Sequence, residues 1–441
     1  MKMKSFYHVA IFIMIIVQIG FSQNFDKNKL DQYFDALDTH NKFMGSVAIL
    51  QNDNIVYSRS SGYCDYGNRV KTNVGSKYRI GSISKTFTAV LILKAIEEQR
   101  MTLDQTLIEF YPNINNAYMI TIEQLLYQRT GIHSFTDDDD YNSWKTEFKS
   151  EKELIDIISK GKIEFEPDSI FSYSNPNYIL LAFILQQVYG KAYADILKEK
   201  ITQPLQLRNT FYGGKINPDK NECHSYTYTG GWEKETETDM SIPTGAGAIV
   251  STPSDLVNFG NALMKGKIIS KESLDKMTTI RDGYGMGIFE LPFYENTSFG
   301  HTGGIDGFSS ILSCFAESGV VISVLSNGSN YSINSIALAL LSEVFNKPYD
   351  IPEFSTYQTT PEELDKYLGV YSTTQMPLKL TITKEGNTLI AQATNQPQLR
   401  LEAIEKDSFS FDRAGLILKF DPESKTLLLT QGGGELIFTK E

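Results

Sequence analysis

Residues 78–99, YRIGSISKTFTAVLILKAIEEQ, decide the fold of this chain. Between positions 83 and 96 the residues are apolar on nearly every side of a helical projection. A helix that is apolar on every face is a buried helix, so the pattern predicts a central helix. Ser82 and Lys85 lie three positions apart at the start of this helix and therefore share one face.

Ser82 and Lys85 together have the chemistry of an activated nucleophile. Burial lowers the pKa of a lysine from about 10.4, and the positive end of the helix dipole acts in the same direction. A lysine with a lowered pKa takes the proton of a neighbouring serine hydroxyl. The same spacing recurs at Ser159 and Ser273 in polar segments, so the pair alone does not identify a site.

The composition is that of a globular protein with more than one domain. The 441 residues are 41% hydrophobic and 12% aromatic, which supplies a large core and excludes a disordered chain. The net charge is -12 and no basic cluster stands out. We therefore expect no nucleic-acid partner.

The first 22 residues have the pattern of a secretory signal peptide. Lys2 and Lys4 precede an apolar run at 9–19, and the small-x-small sequence at 20–22 predicts cleavage near Ser22. The run is shorter than the roughly 20 residues that span a bilayer. No cysteine lies near the cleavage site to carry a lipid. The prediction is a secreted or periplasmic protein without a stable membrane anchor.

The cysteines and the acidic residues do not indicate a metal site. Cys64, Cys223 and Cys314 are odd in number and far apart, which favours packing in the core over a disulfide framework or a metal cluster. A bridge between one pair in an oxidising compartment stays open. The acidic run 137–140 lacks the alternating ligands and the glycine of a calcium loop. We expect no metal and no cofactor.

The order of predicted elements indicates an α/β (α+β) fold, in which an antiparallel sheet is flanked by helices and carries a helical insertion. A helix at 26–40 precedes a hairpin, and a second hairpin comes late in the chain. The predicted helices after the central one lie at 122–130, 151–160, 178–189, 193–201, 252–264 and 336–345, and the hairpin strands at 46–50, 55–58, 307–315 and 320–325.

A change of character near residue 348 indicates a second domain. We place the first domain at 23–347, a linker at 348–360 and a small domain at 361–441. Seven short alternating segments in the last part predict a small antiparallel β-barrel of lipocalin-like type. These segments are 378–382, 388–393, 399–404, 408–411, 416–420, 426–430 and 435–438.

Two further short motifs follow Ser82 in the chain. One is Tyr173-Ser174-Asn175 before a predicted helix, and the other is His301-Thr302-Gly303-Gly304 ahead of the late hairpin. Together the three motifs resemble the serine β-lactamase and penicillin-binding protein superfamily. The resemblance is greatest to its class C, D-aminopeptidase and esterase branch, and it covers roughly residues 30–345.

The resemblance implies a role for each motif residue. Ser82 would be the acylated nucleophile, and Lys85 would take its proton directly or with Tyr173, whose pKa the neighbouring lysine would lower. Asn175 would orient Lys85 and bind a substrate amide. The backbone N–H groups of Ser82 and Gly304 would form the oxyanion hole.

The third motif would also border the substrate. Gly303 and Gly304 leave the strand edge free for a substrate to lie along, and Thr302 belongs to the same substrate-binding segment. β-Lactamases carry a lysine where this chain has His301, so a fixed cation for a carboxylate is missing. Arg129 stands in a segment where the family often has His-Thr-Ser-Gly, and it is a candidate to replace part of that charge.

We therefore predict an exported serine hydrolase that cleaves an ester or amide of a small molecule or peptide, in the manner of an esterase or a D-amino-acid peptidase. A penicillin-binding D,D-carboxypeptidase or a β-lactamase is the alternative of the same class. A non-catalytic binder or sensor of cell-wall peptides is the alternative of another class. The oligomeric state stays open.

Overall fold

The larger part of the chain is built around a six-stranded antiparallel sheet. The computed structural model describes residues 25–354, 357–431 and 434–441, so the predicted signal peptide lies outside the described residues. The helices are α1 (Lys27–Thr39), α2 (Ser84–Glu97), α3 (Ile122–Leu126), α4 (Tyr141–Trp144), α5 (Glu151–Lys160), α6 (Asn175–Tyr189), α7 (Tyr193–Leu197), α8 (Thr244–Gly247), α9 (Pro253–Met264), α10 (Lys271–Thr278), α11 (Ile333–Val344) and α12 (Pro361–Leu364).

The strands before residue 330 form the central sheet and several short ladders. They are β1 (Phe43–Gln51), β2 (Asn54–Ser61), β3 (Tyr63–Asp65), β4 (Val70–Lys71), β5 (Tyr78–Arg79), β6 (Phe211–Tyr212), β7 (Tyr226–Tyr228), β8 (Trp232–Lys234), β9 (Ile249–Ser251), β10 (Phe289–Phe293), β11 (Asn296–Ile305), β12 (Phe308–Phe315) and β13 (Val320–Ser329). The central sheet has the order β10-β11-β12-β13-β1-β2, which confirms the predicted antiparallel sheet.

Both faces of the central sheet are covered by helices. Along β1, Val47 and Ile49 belong to a core shared with α1 and α11, whereas Ala48 and Leu50 belong to the core that holds α2, α6 and α9. This alternation follows from the two-residue period of a strand. A sheet buried on both sides reads as a continuous apolar run, and β1 is buried over all but its last residue.

The helices α2 and α6 are buried on nearly every side, as the apolar pattern of residues 83–96 predicts. Helix α6 begins at Asn175, three residues before the predicted start. Pro176 occupies its first turn, where the missing N–H costs nothing and the fixed φ suits a helix. The helical insertion is shorter than predicted in α3, which ends at Leu126.

The strands β10, β11 and β14 were not predicted as strands. Strand β11 holds Gly300, Gly303 and Gly304, and glycine weakens the sequence signal of a strand. A two-residue turn at Asp306 and Gly307 joins β11 to β12, with φ of 51° at Asp306. Asp-Gly between two alternating segments is a strong hairpin signal, and it points to a strand on each side of the turn.

The C-terminal part is a closed up-and-down barrel of eight strands. They are β14 (Gly369–Ser372), β15 (Lys379–Glu385), β16 (Thr388–Ala393), β17 (Gln398–Glu405), β18 (Ser408–Phe411), β19 (Leu416–Asp421), β20 (Thr426–Gln431) and β21 (Gly434–Lys440). The predicted antiparallel barrel is confirmed, and β14 is the strand that closes it on β21. Aromatic and aliphatic side chains, including Tyr367, Phe409, Phe420 and Phe438, fill its interior.

The segment predicted as a linker contacts both parts of the chain. The ammonium group of Lys29 donates to the carbonyl of Tyr349 at 2.6 Å, and the N–H of Tyr357 donates to the carbonyl of Ala403 at 3.0 Å. Lys42, directly before β1, contacts Glu402 and Asp412 of the C-terminal part at 2.7 and 2.9 Å. The barrel is thus fastened to the sheet by ion pairs as well as by the chain itself.

All three cysteines are buried, as the expectation of core packing requires, and the alternative of a bridge between one pair is also confirmed. Cys64 and Cys223 form a disulfide, whereas Cys314 is a free, buried thiol packed against α9. The two cysteines are separated by 159 residues, so their pairing could not be predicted from the sequence. The fold places β3 beside the segment before β7. Among the described helices, none combines the length and the apolar character needed to cross a membrane.

Candidate active site

Ser82 lies in a tight turn that presses the start of α2 against β11. A 3₁₀ turn at Gly81–Ile83 leads directly into α2, and φ at Gly81 is +50°. A Cβ atom on Gly81 would lie 2.8 Å from the backbone nitrogen of Gly304. Glycine is required here both for the positive φ and for the close approach. The turn leaves the Ser82 hydroxyl at the wall of a pocket.

The side chain of Lys85 is fully buried beneath Ser82. Its Nζ lies 3.0 Å from the hydroxyl oxygen of Ser82, 2.7 Å from Oδ1 of Asn175 and 2.9 Å from the carbonyl oxygen of Ala246. Burial holds the pKa of Lys85 well below its ordinary value. The neutral amine is favoured in such a site, and it is the form that accepts a proton from a hydroxyl.

Tyr173 lies on the other side of Ser82, in the loop that precedes α6. Its hydroxyl lies near that of Ser82, and the Nζ of Lys85 is 4.8 Å from the centre of its ring. Burial raises the pKa of Tyr173, and the contact with Ser82 offsets only part of that rise. The expectation of a lowered phenol pKa is therefore wrong, because burial outweighs the nearby lysine once that lysine is neutral.

Asn175 connects the lysine to a loop that the sequence analysis did not assign to the site. Its Oδ1 accepts from Lys85, and its Nδ2 donates to the hydroxyl of Thr136 at 2.9 Å. Thr136 lies in a 3₁₀ turn at Phe135–Asp137, and both Phe135 and Thr136 line the pocket. Thr136 is 39 residues away from Asn175 and follows no motif, so only the fold reveals it.

Strand β11 brings the third motif alongside Ser82. A Cβ atom on Gly303 would lie 2.1 Å from the carbonyl oxygen of Ile80 and 3.0 Å from the backbone nitrogen of Ser82. Pairing of β11 with β10 ends at Gly300, so the strand from His301 onwards runs beyond its neighbour on that edge. Thr302 and Gly304 are exposed there. The geometry leaves a strand edge without a neighbouring strand beside Ser82, and such an edge is a type of site that binds an extended chain.

The side chain of His301 is buried behind Tyr173 and is not among the described residues that line the pocket, so its part in substrate binding stays a prediction. It is 1% exposed, and its Nδ1 donates to the carbonyl of Thr302 while its Nε2 accepts from the hydroxyl of Tyr284. Burial and the nearby Lys85 lower the pKa of His301 to about 3. Its ring centre lies 6.3 Å from that of Tyr173, so it forms part of the aromatic wall behind the phenol.

Arg129 does not supply the missing cation. Its guanidinium binds the carboxylate of Asp168 at 2.7 Å and that of Asp282, and it is not among the described residues that line the pocket. Asp168 also accepts from Arg281 at 2.8 Å. This cluster connects the loop before Tyr173 to the segment before β10. Arg129 and Arg281 therefore have a structural role that does not require a substrate.

The pocket in front of Ser82 has a volume of about 170 Å³ and a mixed wall. Besides the residues already described, Lys145 and Asp306 line it, and neither was predicted. Asp306 belongs to the Asp-Gly turn after β11, whereas Lys145 follows the short helix α4. Over the described ranges, no group of three or more His, Cys, Asp or Glu side chains is arranged to hold a metal ion.

Comparison with protein families and curated proteins finds relatives of the first domain and of the whole chain. The family model described as Beta-lactamase matches residues 30–340. Penicillin-binding protein 4* of Bacillus subtilis strain 168 is 24% identical over 450 aligned residues, which cover 93% of this chain and 97% of that protein. A putative penicillin-binding protein of the same strain, PbpX, is 28% identical and covers 70% of this chain and 75% of its own length.

Comparison with solved structures finds the same fold. The D-amino acid amidase from Ochrobactrum anthropi SV3 superposes with a TM-score of 0.64 at 24% identity, covering 72% of this chain and 98% of that chain. The octameric penicillin-binding protein homologue from Pyrococcus abyssi gives a TM-score of 0.66 at 23% identity and covers 93% of this chain and all of its own.

Proposed function

The chain belongs to the Beta-lactamase family and is a serine hydrolase, and we propose that it is an exported enzyme that cleaves an ester or amide through an acyl-enzyme on Ser82. One observation carries the proposal. The buried amine of Lys85 lies 3.0 Å from the Ser82 hydroxyl, with burial lowering its pKa. A nucleophile beside a base of lowered pKa is the arrangement that covalent catalysis requires.

Acylation begins with the proton of Ser82. The neutral amine of Lys85 takes that proton while the hydroxyl oxygen forms a bond to the substrate carbonyl carbon. The carbonyl oxygen gains the negative charge, and the backbone N–H groups of Ser82 and Gly304 are the donors proposed for it. The close approach of Gly81 to Gly304 supports this role. Each such donor typically contributes about 3 kcal/mol to the transition state.

The leaving group departs with a proton from Tyr173. Because burial raises the pKa of Tyr173, it is a neutral phenol that can donate when the bond to the leaving group breaks. The proton held by Lys85 then returns to the phenolate. In the second half, water attacks the acyl carbon and gives up a proton along the same path, and Ser82 leaves as a hydroxyl.

The site favours esters or amides whose leaving group does not need to carry a carboxylate. The imidazole of His301 is buried with a pKa of about 3, so it supplies no positive charge at the position where β-lactamases have a lysine. A relative named penicillin-binding protein 4* covers 93% of the chain and favours the second candidate, a penicillin-binding D,D-carboxypeptidase or β-lactamase. A non-catalytic binder remains the candidate of another class.

Export is supported by two independent features. The first 22 residues carry the signal-peptide pattern, and Cys64 and Cys223 are joined as a disulfide. Disulfides persist in oxidising compartments outside the cytosol. Expression with residues 1–22 fused to a reporter that folds only after secretion tests this part. Retention of the reporter in the cytosol would contradict it.

The activity is tested with three acyl donors, namely para-nitrophenyl butyrate, D-alanine para-nitroanilide and benzylpenicillin. We expect turnover of the ester or the anilide that Ser82→Ala abolishes. Ser159→Ala is the matched control, since Ser159 has the same spacing to a lysine and donates to the carbonyl of Asp156 on a helix surface. Turnover of benzylpenicillin alone favours the second candidate. Absence of Ser82-dependent turnover with all three favours the binder.

A further inference from the structure

Resting on the proposed function, we propose that Lys145 binds a carboxylate on the acyl part of the substrate, so that the enzyme prefers acyl groups with a negative charge. Lys145 lines the pocket together with Ser82. Its side chain is only 16% exposed. It occupies the end of α4, one helical turn after Tyr141, which lines the same pocket.

The backbone fixes the position of Lys145. Its N–H donates to the carbonyl of Tyr141 at 3.0 Å, and its carbonyl accepts from the N–H of Asp239 at 2.9 Å. The segment that contains Asp239 also supplies Thr238 to the pocket wall. Lys145 is therefore held against the pocket from both sides, and its ammonium group stays at the wall.

The ammonium donors of Lys145 are not used within the described protein. A carboxylate oxygen of Asp306 lies 3.9 Å from Nζ, which is beyond hydrogen-bonding distance. Asp306 is already satisfied, because it accepts from Arg79 at 2.8 Å and from the hydroxyl and N–H of Thr238 at 2.7 and 3.1 Å. Arg79 is shared in turn with Glu237 at 3.3 Å.

Lys145 lines the pocket, and its ammonium group donates no hydrogen bond to the described residues, so a bound ligand can supply the acceptor. Asp306 cannot turn towards Lys145 without breaking its bonds to Arg79 and Thr238, and both Asp306 and Arg79 are almost completely buried. Carboxylates are the acceptors that form the strongest hydrogen bonds with an ammonium group. A substrate carboxylate beside Lys145 would accept hydrogen bonds from its ammonium group.

The position along β11 places this carboxylate on the acyl side of the scissile bond. Tyr173, the proposed donor to the leaving group, packs beside His301 at the start of the free strand edge. Lys145 and Asp306 lie at the opposite end, past Gly304 and Ile305. His301 and Ile305, at the two ends of this edge, are separated by about 13 Å of strand. Of the described residues, the pocket wall includes Ser82 but not Tyr173.

The test compares three para-nitrophenyl esters with five-carbon acyl chains that differ in charge. They are the anionic monoester of glutaric acid, the neutral valerate and the cationic δ-trimethylammoniovalerate. Rates measured with Ser82→Ala are subtracted as background. We expect the kcat/KM of the glutarate to exceed that of the valerate by about 10-fold or more, as a charged hydrogen bond contributes. The cationic ester should be the poorest of the three.

The variants Lys145→Met and Lys145→Arg separate a charge contact from a structural role. Lys145→Met should bring the ratio of glutarate to valerate to within about twofold of one, and Lys145→Arg should retain most of the preference. Lys149→Met is the control, because Lys149 lies in the same segment but pairs with Glu147 at 2.8 Å. It should leave the ratio unchanged.

The outcomes distinguish this inference from the proposed function. Ser82-dependent hydrolysis of the valerate without a gain for the glutarate overturns the role of Lys145 and leaves the hydrolase intact. A preference for the cationic ester, or a glutarate preference that survives Lys145→Met, overturns the inference in the same way. Absence of Ser82-dependent turnover with every ester overturns both.

Discussion

The Nζ atom of Lys85 lies 3.0 Å from the hydroxyl oxygen of Ser82, at the end of a side chain with no exposed surface. Asn175 and the carbonyl of Ala246 accept the other two hydrogen bonds of the same nitrogen. The lysine therefore has a fixed position and a lowered pKa, and the serine is its neighbour on the pocket side. This relationship makes definite predictions about rate and pH.

Replacing Lys85 should remove the base and the rising limb of the pH profile. Because the neutral amine is the active form, kcat/KM for para-nitrophenyl butyrate should increase as the pH rises through the lowered pKa of Lys85. Lys85→Met should reduce kcat/KM by about 10²-fold to 10⁴-fold. Lys85→Arg, which stays charged, should be as inactive. A variant that kept the wild-type pH profile would show that another group is the base.

Tyr173→Phe should harm amides more than activated esters. A para-nitrophenolate leaves without a proton, whereas an amine must be protonated, and the neutral phenol of Tyr173 is the proposed donor. We expect a loss of about 100-fold or more in kcat for D-alanine para-nitroanilide or an alkyl amide. The loss for para-nitrophenyl butyrate should be smaller. Equal losses of kcat on the amide and the ester would show that Tyr173 is not the acid that protonates the leaving group and that its role is structural.

His133 should make the loop that contains Thr136 more stable at low pH. Hydrogen bonds at 2.7 Å to Glu164 and to Asp138 raise the pKa of His133 above its ordinary value. A raised folded-state pKa adds stability that is fully present below about pH 6.5 and is lost as the pH rises through the folded-state value. The carboxylates are partly exposed, so the gain is roughly 1 kcal/mol.

The measurement for His133 is chemical denaturation of the wild type and His133→Gln at about pH 6 and about pH 9. The difference in the free energy of unfolding should be larger at the lower pH. His40→Gln is the matched control, since His40 is an exposed histidine that contacts a backbone carbonyl. A difference that grew with pH would mean that His133 is stabilised in its neutral form.

The disulfide between Cys64 and Cys223 should form when the protein is produced in an oxidising compartment. Alkylation of the denatured, unreduced chain should modify Cys314 alone, and reduction before alkylation should modify all three thiols. Removing the disulfide with the double change Cys64→Ser and Cys223→Ser should lower the free energy of unfolding by about 2–5 kcal/mol. Alkylation of three thiols without reduction would contradict the pairing.

The sequence predicts best those elements whose pattern is local. The buried helix α2 and the strand alternation of the barrel follow from apolar periods that a reader can count, and both are confirmed. Strand β11 could not be predicted from its local sequence, because its glycines weaken the strand pattern. Gly303 is needed for a contact that is distant in sequence, the close approach to Ile80 and Ser82. The Asp-Gly turn was the local signal that could have revealed it.

The residues of the site also fall into those that a sequence motif identifies and those that only the fold reveals. Ser82, Lys85, Tyr173 and Asn175 were named from their motifs, and the fold brings them within contact of one another. The orientation of His301 depends on which face of β11 is buried, which the motif alone does not specify. Lys145 and Thr136 come from segments without a motif, and they join the site only because α4 and the preceding turn fold over the pocket.

The most direct test of the account is the mass of the intact protein after rapid acid quenching of its reactions with para-nitrophenyl butyrate and with benzylpenicillin. The account predicts a single acyl adduct from at least one donor, located on Ser82 by peptide mapping, absent from Ser82→Ala and retained in Ser159→Ala. An adduct on another residue, or no adduct together with nitrophenol release that Ser82→Ala does not reduce, would contradict it.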